Sequence, residues 1–163
     1  MLDQLLKLVE QHAGQAIVSN KAIPDQLNNA AIKEVTNQIF NGIHGQVTHG
    51  KMEQVVALFQ SGISSKTQSP VMTTIVETVT NSLSTKFNIA PDVAKSVADS
   101  IVPAVMNQVI KKTNDPKDID FDLQQMLRRM SGNNNLDISG LISSAPKTTA
   151  GSIGNVFSKL FGK

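Results

Sequence analysis

The chain has no cysteine. That removes disulfide frameworks, thiolate metal ligands and cysteine nucleophiles at a stroke, and it suits a reducing compartment, so a cytoplasmic location is expected. Tryptophan and tyrosine are also missing, which leaves six phenylalanines as the whole aromatic complement. Stacking on nucleic-acid bases would have to draw on phenylalanines that a core needs. Charge is sparse as well. A net charge of +2 is too small to attract a polyanion by field strength, so nucleic acid is not an expected partner. No apolar run approaches the ~20 residues of a helical membrane span. The opening MLDQLLKLVEQ mixes acids among its leucines and shows no small-residue cleavage site, so it is not expected to act as a signal peptide.

What is present suffices for one domain. A chain of 163 residues can bury a core without cross-links. Hydrophobic residues make up 40%, drawn mostly from Val, Ile, Leu, Ala and Met. Ser, Thr, Asn and Gln together supply roughly a third of the chain, which predicts an uncharged polar surface.

The apolar residues recur at helical spacing nearly everywhere. Leu2, Leu5, Leu6 and Val9 share one face of a first helix, and Gly14 is placed to end it. Pro24 suits the first turn of a second, whose stripe is Leu27, Ala31, Val35 and Ile39 and whose end is expected near Asn41-Gly42. Thr48 is read as the cap of a third helix carrying Met52, Val55, Val56 and Phe59, with Gly62 as its stop. Ser69-Pro70 marks a fourth start. The β-branched stretch after it invites a strand reading, but Val71, Met72, Ile75, Val76, Val79, Leu83 and Phe87 follow a period near 3.6 rather than 2. Pro91-Asp92 opens a fifth helix with Val93, Val97, Ile101, Val105 and Val109 inward, and Pro103 in its middle predicts a kink or a break. A sixth helix is expected from about Asp120 to Met130, then a Gly/Asn loop and a short turn or helix over Leu136–Ile142. With no period-2 strand in view, the fold class is all-α, a multihelical bundle of helix-turn-helix hairpins.

NGIHGQVTHGK, Asn41–Lys51, is the most motif-like stretch. His44 and His49 stand five apart, which on a helix swings their rings ~140° apart. A helical zinc pair wants i and i+4 and a third protein ligand. The remaining histidine is His12, and the nearest acids are Glu34 and Glu53, so no metal site is expected. GIHG has the GxxG form of nucleic-acid backbone clamps, but the strands and basic loop residues of that context are missing. The segment is therefore read as a corner between two helices, with its glycines supplying positive φ.

Other motifs dissolve similarly. DIDFD (Asp118–Asp122) lacks the glycine and glutamate of a calcium loop, since Leu123 and Arg129 stand at those places, and is read as an acidic helix start. Lys111-Lys112 suits a helix C-terminus, and Arg128-Arg129 is placed on a solvated face. No serine sits in a GxSxG elbow, and no phosphate loop of the GxxxxGK type occurs. No catalytic residue, cofactor or metal is predicted. An enzyme would require a polar cleft in which His44 or His49 meets a carboxylate.

EVTNQIFNGI (Glu34–Ile43) resembles TVTNSLSTKF (Thr78–Phe87), which suggests two related hairpins. The second, Leu83–Val109, carries Phe87, Ile89, Pro91, Asp92 and Pro103 in a pattern that resembles the bacterial YidB-like family, a domain of unknown function. Phe121–Ser144 resembles that family's later section. The likeness spans about Val71 to Ser144, more loosely the first half. Its loops here use Asn, Ser and Thr where many relatives use glycine. It implies an all-α fold and a bacterial source, and no reaction.

Residues 1–143 are thus read as one helical domain, and 144–163 as a linker with a C-terminal amphipathic helix. Ile153, Val156, Phe157, Leu160 and Phe161 form one stripe there, beside Lys159 and Lys163, and are the candidate partner-binding residues. That stripe must be covered by the chain's own core, by a second copy or protein partner, or by a membrane surface. The expected function is a non-enzymatic interaction or scaffolding module, with peripheral membrane binding through the same helix as the alternative.

Overall fold

Two long helices, α4 (Pro70–Phe87) and α5 (Pro91–Thr113), form the hairpin around which the rest is packed in the computed structural model, which describes residues 1–63 and 69–144. Each starts with proline at its first position, where the missing N–H costs nothing. Asn88 ends α4 in the left-handed conformation (φ 53°), and Ile89 buries itself in the turn. Val79 and Leu83 of α4 are buried in one core with Ala94, Val97, Ala98, Ile101, Val102 and Val105 of α5. Each fully buried aliphatic chain contributes about 1.5–3 kcal/mol.

Around this hairpin lie α1 (Leu2–Ala13), α2 (Asn28–Thr48), α3 (Met52–Ser61), α6 (Leu123–Ser131) and the short α7 (Ser139–Ser144). Helix α1 packs on α2 and α5, α6 on α2, and α7 on α3. The elements of regular structure among the described residues are all helical, so the architecture is an all-α bundle. None of the described helices is long and apolar enough to cross a membrane. Leu5, Val35, Phe59, Ile75, Ile101 and Leu127 belong to one continuous core.

Helix α2 runs antiparallel to α4. Glu34, near its start, reaches Ser82 and Lys86, while Gly42, two turns later, lies against Ile75. Thr36 is buried in α2 and donates its hydroxyl to the Ile32 carbonyl at 2.8 Å, which satisfies the polar group within the helix.

Several sequence expectations are corrected. Gly14 does not end the first helix: its backbone stays right-handed, and one wider turn, Gly14–Val18, carries the chain on. Asn41-Gly42 is no corner. α2 continues through both, and through Gly45, to Thr48. The turn comes at His49–Lys51, where Gly50 takes φ 79°. A helix-interior glycine costs about 1 kcal/mol against alanine, and at Gly42 close approach to Ile75 offsets that cost. Thr48 caps nothing; its hydroxyl donates back to His44 and Gly45 carbonyls. The Ser69 side chain makes no capping bond. Of the kink or break expected at Pro103, the break does not occur: α5 runs through it. The proposed repeat therefore differs in its halves, because α4 ends at Phe87 while α2 runs five residues beyond Ile43.

Candidate functional site

The residues singled out by motif do not converge. His44 is half-buried and stacks on Phe40, with ring centroids 6.2 Å apart and planes 11° from parallel. His49 is exposed, and its Nδ1 donates to the Gly45 carbonyl at 2.7 Å. Neither ring meets a carboxylate in these contacts. Among the described residues no group of three or more histidines and acids is placed to hold a metal ion.

The acids of DIDFD have separate duties. Asp118 accepts from Lys112 Nζ at 3.0 Å. Asp122 caps α6, accepting from the Gln125 amide at 2.8 Å. Lys112 also sits 5.5 Å from the centre of the Phe121 ring, a cation–π distance. Arg128 is not on a solvated face as expected: it is half-buried, and its Nε donates to the Leu136 carbonyl at 2.8 Å, holding the loop before α7. Arg129 is exposed as expected.

One carboxylate lies in a polar cluster that the sequence did not announce. Glu34 Oε1 accepts from Gln38 Nε2 at 2.6 Å, from Lys86 Nζ at 2.8 Å and from the Ser82 hydroxyl. Burial acts to raise its pKa, but these donors and the Lys86 charge together hold it below the usual glutamate value. A carboxylate so held is ionised at neutral pH with its oxygen engaged, which suits a tie between α2 and α4 and not a proton acceptor. Buried side-chain oxygens of Asn28 and Gln46 lack partners among the described residues, but eighteen residues of helix put them about 27 Å apart on α2, too far for one site.

A concavity lies between α4 and α5. Ser69, Met72, Thr73, Val76, Glu77, Thr80 and Asn81 follow one ridge of α4, and twelve residues make that ridge about 18 Å long. Lys95, Asp99 and Pro103 are spaced i, i+4, i+8 along α5, a facing ridge of about 12 Å. Leu58, Gly62 and Ile63, from α3 and its C-terminal end, supply the third side. An Asn114 Nδ2 bond to the Phe59 carbonyl at 3.1 Å fixes α3 near the end of α5. The trough encloses about 460 Å³.

Its lining is more apolar than its composition suggests. Thr80 donates its hydroxyl to the Val76 carbonyl at 2.7 Å, and Thr73 to the Ser69 carbonyl at 3.4 Å, so both are engaged with their own helix. Met72, Val76, Leu58, Ile63 and Pro103 provide hydrocarbon. Pro103 lacks an N–H, which leaves the Asp99 carbonyl without its helical donor at the trough wall. The rim is charged: Lys95 and Asp99 pair at 2.8 Å in solvent, and Glu77 is exposed without an ion-pair partner among the described residues.

The sequence placed Met72 and Val76 on an apolar face but gave no sign that a trough lies beside them. The candidate partner-binding residues Ile153, Val156, Phe157, Leu160 and Phe161 lie outside the described residues. No protein family, curated protein or solved structure matches the chain.

Proposed function

We propose that the protein is a non-enzymatic interaction module that receives an apolar helical segment in the trough between α4 and α5. The observation that carries this reading is the pair of facing ridges, i/i+4/i+8 on α5 and its longer counterpart on α4, with a hydrocarbon floor and a charged rim. Helix-in-groove recognition has this form: apolar anchors at i, i+3/i+4 and i+7 enter the groove, and rim charges set orientation. His49, Glu34, Asp118, Asp122 and Arg128 are each engaged in holding the fold, which supports binding in preference to chemistry. The resemblance of Val71–Ser144 to the YidB-like domain adds a bacterial source to the proposal, and a cytoplasmic location belongs to it as well.

Selection of randomised helical peptides against the full chain tests the reading. Binders are expected to share apolar residues at i, i+3/i+4 and i+7, and to shift the methyl resonances of Met72, Val76 and Ile63. Binders without that spacing, or shifts confined to other faces, would reject it.

A further inference from the structure

We propose that the trough's resident occupant is this chain's own C-terminal segment, Ile153–Phe161, which docks in cis and covers the surface until a partner helix displaces it. The inference rests on the reading of the trough as a helix-binding groove and names what fills it.

Three observations converge on this occupant. The first is length. As a helix, Ile153, Val156, Phe157, Leu160 and Phe161 would share one stripe, its ends eight residues or about 12 Å apart. The α5 ridge from Lys95 to Pro103 also spans eight residues.

The second is the tether. The described chain leaves through α7, which packs on α3, and α3 and its C-terminal end supply the Leu58–Ile63 side of the trough. Residues 145–152 add eight residues, which reach about 26–29 Å when extended. Helix α3, ten residues, is about 15 Å long. The linker is therefore long enough to carry the stripe from α7 past α3 and over the trough.

The third is charge. Residues 145–163 hold Lys147, Lys159 and Lys163 and no acid, so +3 of the +2 total lies there and residues 1–144 carry −1. Glu77, on the rim without an ion-pair partner among the described residues, is a natural counter-charge for Lys159. Docking in cis is favoured over docking on a second copy because a short tether presents its segment at an effective concentration of about millimolar.

The absence of cysteine makes a clean test. Asn155→Cys lies on the helical face opposite the stripe and takes a nitroxide label in the otherwise intact chain. The expected result is loss of the Met72, Val76 and Ile63 methyl signals, recovered on reduction of the label and unchanged on dilution. A mixture of spin-labelled chain and isotope-labelled, label-free chain should show no loss. Undiminished trough methyls overturn the proposal. So does loss in the mixture, which would mean that a second copy is the occupant. Undiminished trough methyls together with flotation on phosphatidylserine-containing vesicles would assign the stripe to a membrane instead. If selected peptides bind the trough while the label leaves it untouched, the occupant is refuted and the groove stands; if neither engages it, both fall.

Discussion

Gly42 and Ile75 meet so closely across the seam of α2 and α4 that a Cβ at position 42 would lie 2.9 Å from Ile75 Cγ1. Ile75 is fully buried and stiff at χ1, so it cannot retreat cheaply. Gly42→Ala should lose about 1–3 kcal/mol to overpacking, more than the ~1 kcal/mol that alanine brings to a helix. Gly45, in the same helix, has open space around its Cβ position. Gly45→Ala should therefore stabilise by about 0.8–1 kcal/mol. Urea midpoints should rank Gly45→Ala above the parent and the parent above Gly42→Ala. Equal midpoints for the two variants would refute the close approach.

The Glu34 cluster predicts a pH dependence with a definite sign. Because its folded pKa is lowered, the cluster's contribution is complete above the ordinary glutamate value of about 4.3 and fades as pH falls through the lower folded value. Glu34→Ala should cost about 1–3 kcal/mol at neutral pH. The gap between parent and variant should close on acidification below that range. A gap that stays constant down to acid pH would remove Glu34 from the role.

Asp122 should matter through its cap alone. Asp122→Ala leaves the Gln125 amide unsatisfied and should cost about 1 kcal/mol, whereas Asp122→Asn keeps an acceptor and most of the stability. Thermal melts of the two variants check this; equal losses would show that charge, not the cap bond, is at work.

Pro103 offers the opposite experiment. Its replacement by alanine gives the Asp99 carbonyl a donor inside a continuous helix. The expected gain is about 2 kcal/mol, after allowing ~0.4–1 kcal/mol for the freedom returned to the unfolded chain. A loss of stability instead would mean that the ring's packing at the trough outweighs the hydrogen bond.

The fold class was legible because its signals are local. Pro91 and Asp122 act within a turn of where they stand, and the period of the apolar residues separates helix from strand even in the β-branched α4. The segment around Gly42 was misread because the residue that makes glycine fit there, Ile75, stands 33 positions away. Glu34 was overlooked for the same reason, since Ser82 and Lys86 are 48 and 52 residues distant. The trough escaped notice because periodicity marks Met72 and Val76 as apolar without saying whether a neighbouring helix covers them. The candidate stripe from Ile153 to Phe161 was legible as a pattern, and its partner was not.

The two ends of the α2–α4 seam also act as a vernier. A slip of one helical turn, about 5.4 Å, would force Gln38 or Gln46 into the notch that only a bare backbone fills, and would drag Glu34 away from Ser82 and Lys86. One end rejects the wrong alignment by bulk and the other by stranded charge, so a mis-threaded version of this pair is penalised twice over.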